Sequence, residues 1–261
     1  MLLAIDAGNT QTVLGLFDGE ELASQWRIAT SAERTADEHA LLVSQLLELK
    51  GFDVDDIVDG IVIASTVPAL TDTLRAMAAR WFEVPALVLE PGVRSGAAIL
   101  TDNPREVGAD RLANTVAAFD RFAGPCIVVD FGTSTNFDVV SERGEYLGGA
   151  IAPGIDIGMD ALFARAAALR RVDLDEPRSV IGKTTVECIQ SGVLYGHVEL
   201  VDGLCRRIQA ELGVCTVVAT GGLSGRITPL SSSIDHHEPW LTLHGLRLVF
   251  ERNRPSNQDS S

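Results

Sequence analysis

Apolar and polar positions follow a similar order of elements in the two halves of the chain. In the first half, short apolar runs predict strands, and Asp18-Gly19 marks a tight turn between the second and third of them. Leucines at helical spacing, with Asp37 and Glu38 in the first turn, predict a helix. The predicted elements are strands at 2–6, 11–17 and 21–28, a helix at 37–50, a strand at 59–65, a helix at 69–82 and a strand at 86–90.

The second half also opens with three strands before a helix. Gly192, Gly196 and Gly203 are expected to bend or divide its longest helix. The repeated order predicts an α/β fold made by duplication, with domains at 1–116 and 117–253 and a disordered polar tail at 254–261. The predicted elements are strands at 126–130, 136–141 and 146–152, helices at 156–171 and 185–212, a strand at 214–220 and a helix at 240–252.

Each half carries an aspartate at the end of its first strand, a glycine two residues later and hydroxyl residues after the glycine. The two copies are DAGNTQT at 6–12 and DFGTSTN at 130–136. Glycine lets backbone N–H groups approach a phosphate, threonine hydroxyls add donors, and the carboxylate can hold a cation. One copy alone would be read as an ordinary turn. Two copies in matching positions favour phosphate binding.

Charge and composition exclude some classes of function. The chain of 261 residues has 21 basic and 36 acidic residues, a net charge of −15. This balance disfavours a general nucleic-acid binder and an anionic membrane partner. No apolar stretch is long enough to cross a bilayer and the first residues do not form a leader pattern, so we expect a cytoplasmic protein. The cysteines, at 126, 188, 205 and 215, are expected to be reduced, and the scattered histidines do not predict a metal site.

Familiar catalytic motifs are missing or incomplete. Gly182-Lys183-Thr184 resembles the end of a phosphate-binding P-loop, but Pro177 stands where that motif needs glycine. The first strand is not followed by the glycine pattern of dinucleotide-binding folds. The sequence also lacks a recognisable nucleophile and base pair for hydrolysis.

Seven motifs in order give the chain a specific resemblance. Together they resemble the type III pantothenate kinases, which phosphorylate pantothenate with ATP in the first step of coenzyme A synthesis. The resemblance extends from Asp6 to about Asn253. It implies the acetate and sugar kinase, Hsp70 and actin superfamily, with two ribonuclease-H-like domains, each a mixed sheet with flanking helices. The motifs are DAGNTQT at 6–12, NPREVGADR at 103–111, DFGTSTNFDVVS at 130–141, GGAIAPGI at 148–155, IGKTTVECIQSG at 181–192, ATGGL at 219–223 and LTLHGLRLVFERN at 241–253.

The resemblance also implies roles for individual residues. Asp110 would be the general base, and Asp130 the ligand of a monovalent cation, K⁺ or NH₄⁺. Asp6 would lie near the Mg²⁺ that accompanies ATP, and Gly221-Gly222 would admit adenine. Members are typically homodimers. The implied ATP contacts are Asp6, Ala7, Gly8, Asn9, Thr10, Gln11, Thr12, Val13 and Thr133, and the implied substrate contacts are Gly108, Ala109, Asp110, Arg111 and Thr185.

Three implied roles have plain structural alternatives. Asp110 could be a first-turn acid of a helix, Thr185 a helix N-cap, and the glycine pair a simple turn. The chain also departs from the family pattern: Thr101 stands where many members have tyrosine, and Asn136 where a threonine is usual. These departures keep two alternatives open, a non-catalytic ATP-binding regulator and a kinase for another small hydroxy compound.

Overall fold

The computed structural model describes residues 1–53, 57–166 and 169–254. Within them, ten strands form two sheets of five strands each. In chain order the strands are β1 (Leu2–Ala7), β2 (Gln11–Asp18), β3 (Glu21–Ala29), β4 (Gly60–Ser65), β5 (Ala86–Val88), β6 (Cys126–Phe131), β7 (Ser134–Val140), β8 (Tyr146–Pro153), β9 (Thr216–Thr220) and β10 (His236–His237).

Local signals in the sequence account for several helix starts. Thr35 and Glu38 form a capping box at the first helix, and Pro68 stands in the first turn of the second. Short 3₁₀ turns lie at Pro104–Glu106 and Thr228–Leu230. In the described residues the helices are α1 (Ala36–Glu48), α2 (Pro68–Trp81), α3 (Ala109–Phe122), α4 (Ile155–Arg165), α5 (Thr185–Leu212), α6 (Ser224–Ile227) and α7 (Leu241–Asn253).

The two sheets have the same topology. The first has the order β3-β2-β1-β4-β5, and the second, read from the opposite edge, has the order β8-β7-β6-β9-β10. In each, the first strand of the unit is central, antiparallel to the second strand and parallel to the fourth. The predicted duplication into two mixed sheets is therefore confirmed.

The compact units divide the chain differently from the limits 1–116 and 117–253. The first unit contains Met1–Ala97, Asp102–Ala117 and the chain from Leu241 onward, and the second contains Ala98–Thr101 and Ala118–Trp240. Helix α7 thus belongs to the first unit, because it packs on β1, β2 and β4. The predicted tail lies outside the described residues, apart from residue 254.

Two glycines in the first sheet make room for α7. A side chain at Gly15 would meet Leu243, and one at Gly60 would meet the ring of Phe250. The apolar side chains of α7 therefore reach the sheet at positions where the strands have no side chain of their own. A sequence pattern does not reveal this fit, because the two partners are more than 180 residues apart.

Several predicted bounds need correction. The helix predicted over 156–171 ends at Arg165, and the strand predicted over 86–90 ends at Val88. The helix containing Gly192, Gly196 and Gly203 is continuous over 28 residues. Its apolar face is buried in the second core, which offsets the roughly 1 kcal/mol that each helical glycine costs relative to alanine. The two-residue strand β10 was not predicted, because its histidines have no strand pattern.

Candidate functional site

The turn between β1 and β2 contains most of the predicted phosphate contacts. The N–H of Gly8 donates to the carbonyl of Gln11 at 3.0 Å, which closes the turn. Asn9, Thr10 and Gln11 are exposed, whereas Asp6 is half-buried at the end of β1. This part of the chain presents polar backbone and side-chain groups at the carboxyl end of a central strand, where ligands of open α/β sheets commonly bind.

A threonine that the sequence did not single out holds this turn in place. The hydroxyl of Thr30 donates to the carbonyl of Gly8 at 2.7 Å, and its N–H donates to the carbonyl of Thr10 at 3.0 Å. Thr30 has one hydroxyl proton, so in its 2.8 Å contact with Thr12 the donor must be Thr12. Thr12 is buried, and its hydroxyl supports the turn from within.

The predicted general base lies in the first turn of α3. Asp110 and Arg111 are half-buried, and the carboxylate of Asp110 folds back over Gly108. A Cβ at residue 108 would lie 2.4 Å from Oδ1 of Asp110. A side chain there would displace this carboxylate, which gives the glycine of the segment a physical role.

The turn between β6 and β7 is the counterpart in the second unit. Asp130 is half-buried at the end of β6, and Thr133 is exposed at the tip of the turn. The carbonyl of Thr133 accepts from the N–H of Gly154 at 3.2 Å. A Cβ at Gly154 would lie 2.3 Å from that carbonyl oxygen, so the loop after β8 approaches the turn backbone to backbone.

Buried His197 connects this turn to helix α5. Its Nε2 lies 2.9 Å from the hydroxyl of Thr135, which is also buried, and its ring lies 6.1 Å from that of Phe131. Burial lowers the pKa of His197, which favours the neutral imidazole. The histidine is thus a structural partner of the turn, a role that its isolated position in the sequence does not predict.

The start of α5 contains the predicted substrate contact Thr185. The N-cap is Thr184, whose hydroxyl accepts from the N–H of Glu187 at 3.2 Å, so the N-cap alternative for Thr185 is wrong. Thr185 itself is exposed. Glu187 accepts from Arg178 and from the N–H of Lys183, and these hydrogen bonds lower the pKa of Glu187 to about 2. The loop before the helix is therefore fixed by an ionised carboxylate.

The structure groups the predicted residues into two sets. Asp6 to Val13 and Gly108 to Arg111 lie in the first unit, and Asp130, Thr133 and Thr185 lie in the second. Among the described residues, no three His, Cys, Asp or Glu side chains lie together in a group that could hold a metal ion. Helices within the same residues are all too short or too polar to span a bilayer.

A groove of about 790 Å³ in the second unit lies away from these residues. It is lined by Phe122, Arg206, Asp235 and His236, among others, and it reaches Pro125, just before β6, and Thr216, the first residue of β9. Asp130 and Gly221 stand at the other ends of those strands. None of the predicted site residues lines the groove.

Comparisons with known proteins agree with the fold. A protein of Sinorhizobium meliloti described as a 2-dehydro-3-deoxygalactonokinase has a TM-score of 0.62 at 14% identity, with 98% of this chain and 97% of the other covered. The inorganic polyphosphate/ATP-glucomannokinase of an Arthrobacter strain has a TM-score of 0.51 at 14% identity, with 96% and 98% covered. These likenesses confirm the predicted pair of ribonuclease-H-like domains.

Sequence comparison is more specific. The sequence model of the type III pantothenate kinases matches residues 2–207. The type III pantothenate kinase of Streptomyces griseus is 56% identical over 261 residues, with 97% of this chain and 98% of the relative covered. Both the family match and the full-length relative agree with the resemblance seen in the seven motifs. The chain therefore belongs to the type III pantothenate kinase family.

Proposed function

We propose that this protein transfers the γ-phosphoryl group of ATP to the primary hydroxyl of pantothenate, the first step of coenzyme A synthesis, with Asp110 as the general base. Membership of the family supports the reaction. The single observation that carries the mechanism is the carboxylate of Asp110, which is held over Gly108 at the start of α3. Of the predicted polar residues, Asp110 alone combines a carboxylate with the segment assigned to the acceptor substrate.

The proposed chemistry is direct transfer without a phosphorylated enzyme. The substrate hydroxyl donates its proton to a carboxylate oxygen of Asp110 while its oxygen attacks the γ-phosphorus, and ADP leaves on the opposite side. Gly108, Ala109 and Arg111 would position pantothenate, with the guanidinium of Arg111 facing the substrate's carboxylate. Thr185, exposed at the start of α5, would add a hydroxyl contact.

Each of the two turns offers groups that would contact phosphate. In the first, the backbone of Ala7, Gly8, Gln11 and Val13 and the exposed side chains of Asn9 and Thr10 would surround the terminal phosphates. Thr12 would act from beneath, because its hydroxyl is bound to Thr30. In the second turn, exposed Thr133 would supply a further contact.

The oxygen groups around Asp130 fit a monovalent cation. In the sheet, Asp130 is paired with Asn136 on one side and with Thr220 on the other, so the three side chains occupy one face. Carboxylate, amide and hydroxyl oxygens are suitable ligands for K⁺ or NH₄⁺, which would supply positive charge near the phosphates. Asp6 would hold Mg²⁺ through water, since Mg²⁺ retains much of its hydration, and the ion would neutralise phosphate charge.

Exposed apolar side chains support assembly as a homodimer. Within its described residues, the second unit has nine large apolar side chains exposed to solvent, including Ile151 at 65% and Ile181 at 72% exposure. Exposed apolar side chains of this kind are commonly buried against another chain, and we propose that a second copy of this protein covers them. The full set is Leu100, Leu147, Ile151, Ile157, Leu162, Val180, Ile181, Val186 and Val214.

We place the enzyme in the cytoplasm, where ATP and potassium are plentiful. All four cysteines are unpaired thiols, as expected in a reducing compartment. Burial raises the pKa of Cys126 to about 11 and that of Cys205 to about 12, so these thiols stay protonated and unreactive.

A coupled assay that follows ADP release with pantothenate tests the proposal. Asp110→Asn keeps the size of the side chain but removes the base, so kcat should fall by about 10²- to 10⁴-fold while ATP affinity is unchanged. Asp120→Asn, at an exposed position of the same helix, is the matched control and should retain full activity. Full turnover by Asp110→Asn would refute the assigned base, and wild-type protein without turnover in potassium would refute the reaction.

A further inference from the structure

Gly221, the residue after β9, touches the carboxylate proposed to hold the monovalent cation. It has a φ of 90°, a conformation that favours glycine. A Cβ at this position would lie 2.4 Å from Oδ1 of Asp130 and 2.7 Å from the backbone N and O of Phe131. The orientation of the Asp130 carboxylate therefore depends on where this turn lies.

Buried Ser224 fixes the turn from the other side. Its hydroxyl donates to the carbonyl of Gly221 at 2.6 Å, and its N–H donates to the same oxygen at 3.3 Å. Ser224 is only 1% exposed, so a lost partner could not be replaced readily by water. The same hydroxyl lies 2.8 Å from Nε2 of His237 on β10.

The number of available protons determines the donor in the hydrogen bond between Ser224 and His237. The single hydroxyl proton of Ser224 is used on the Gly221 carbonyl, so Nε2 of His237 must be the donor. Neutral imidazole with its proton on Nε2 can make this bond, and so can imidazolium. The result is a continuous series of contacts from His237 through Ser224 and Gly221 to Asp130.

We infer that Ser224 and His237 are positioning residues for the cation site at Asp130. This inference rests on the proposed function, in which Asp130 holds potassium. Without the His237 donor, the hydroxyl of Ser224 is free to rotate away from the Gly221 carbonyl, and the turn no longer holds the carboxylate in one orientation. Potassium affinity then falls, while the fold and the general base are unaffected.

The two histidines of β10 provide a matched pair of variants. Adjacent residues of a strand point to opposite faces, and His236 stacks on Phe122 with the ring centroids 4.7 Å apart. Both histidines are exposed, so neither His236→Ala nor His237→Ala is expected to prevent folding. His237→Gln keeps an N–H donor on a side chain of similar reach and serves as the conservative rescue.

The experiment measures potassium binding without turnover. Melting temperature is recorded with ADP and Mg²⁺ over a potassium series, and the midpoint of the potassium-dependent rise is compared among variants. His237→Ala and Ser224→Ala should raise the midpoint by about three- to tenfold, the loss expected for one hydrogen bond. His236→Ala should leave the midpoint unchanged. In His237→Gln the midpoint should stay close to the wild-type value.

Each contrary result has one meaning. If His237→Ala lowers the melting temperature equally at all potassium concentrations and leaves the midpoint unchanged, the pair is merely structural and the inference is overturned. Asp130→Asn is measured in parallel. If that variant keeps the wild-type potassium response, the proposed cation site itself is wrong, which is a different outcome from failure of the positioning pair.

Discussion

The duplicated turns differ most in the residues beside their aspartates. Each aspartate ends the central strand of its sheet and is paired with one residue on either side. In the first unit both neighbours are apolar, whereas in the second both carry a side-chain oxygen. The two rows are Val13, Asp6 and Ala64 in the first unit and Asn136, Asp130 and Thr220 in the second.

This difference gives a physical reason why the two kinds of ion site proposed above could occupy one repeated framework. Around Asp6 the neighbouring side chains of the sheet are apolar, which suits an ion that keeps its own water. Around Asp130 the sheet offers three oxygen-bearing side chains in a row, which suits a larger ion that exchanges water for protein oxygens. The two units share the strand order but differ in the side chains beside their aspartates.

The largest effects are expected when each aspartate is replaced by asparagine, because this tests whether the two turns have separate roles. Asp6→Asn should lower kcat by about 10²-fold or more at every potassium concentration, because charge near the transferred phosphoryl group is lost. Asp130→Asn should instead remove the potassium dependence, so that rates in potassium and sodium become equal. Initial rates over magnesium and potassium series measure both effects. Identical ion profiles for the two variants would show that the turns do not have separate roles.

Gly221→Ala tests how closely the second site is packed. The added methyl group would press on the Asp130 carboxylate, and the positive φ would be strained, so we expect a loss of about 1–3 kcal/mol in unfolding free energy together with a weaker potassium response. The corresponding residue of the first unit is Ser65, which follows Ala64 on β4. Ser65→Ala should cost less than about 1 kcal/mol and leave the potassium response intact. Denaturant unfolding with and without potassium measures both variants.

The smallest effects are expected at His197 and Thr30, which form hydrogen bonds to the second and the first turn, respectively. His197→Phe keeps the bulk of the ring but removes the hydrogen bond to Thr135, which should cost about 1 kcal/mol at pH 8. Because burial lowers the pKa of His197, the unfolded chain binds a proton more readily below about pH 6.5. The stability contributed by neutral His197 is therefore present above that pH and is lost as the pH falls. The gap between wild type and variant should shrink from pH 8 to pH 5.

Thr30→Val is the control from the first unit. It removes the hydroxyl that holds Gly8 and Thr12, and that hydroxyl does not titrate in this range. Its cost, measured by urea unfolding, should be the same at pH 8 and pH 5. A pH-dependent loss in Thr30→Val, or a constant gap for His197→Phe, would contradict the assigned role of the buried imidazole.

Local patterns were sufficient to predict most strands and the positions of both aspartates. Asp6 and Asp130 each lie at the end of a short apolar run that predicts a strand, and the glycine and hydroxyl residues after them predict the turns. The supports could not be predicted in this way. His197 lies 62 residues from Thr135, and Thr30 lies 22 residues from Gly8, so neither contact leaves a local signal. Thr184 rather than Thr185 is the N-cap of α5, and hydrophobic periodicity does not distinguish between these two neighbouring threonines.

Helix α7 has a consequence for synthesis on the ribosome. The first unit needs Leu243 and Phe250 to fill the spaces above Gly15 and Gly60, so its sheet stays uncovered there until α7 has been translated. The second unit is encoded almost entirely by residues 118–240 and can be complete earlier. The unit whose translation begins first can therefore be completed only after the second.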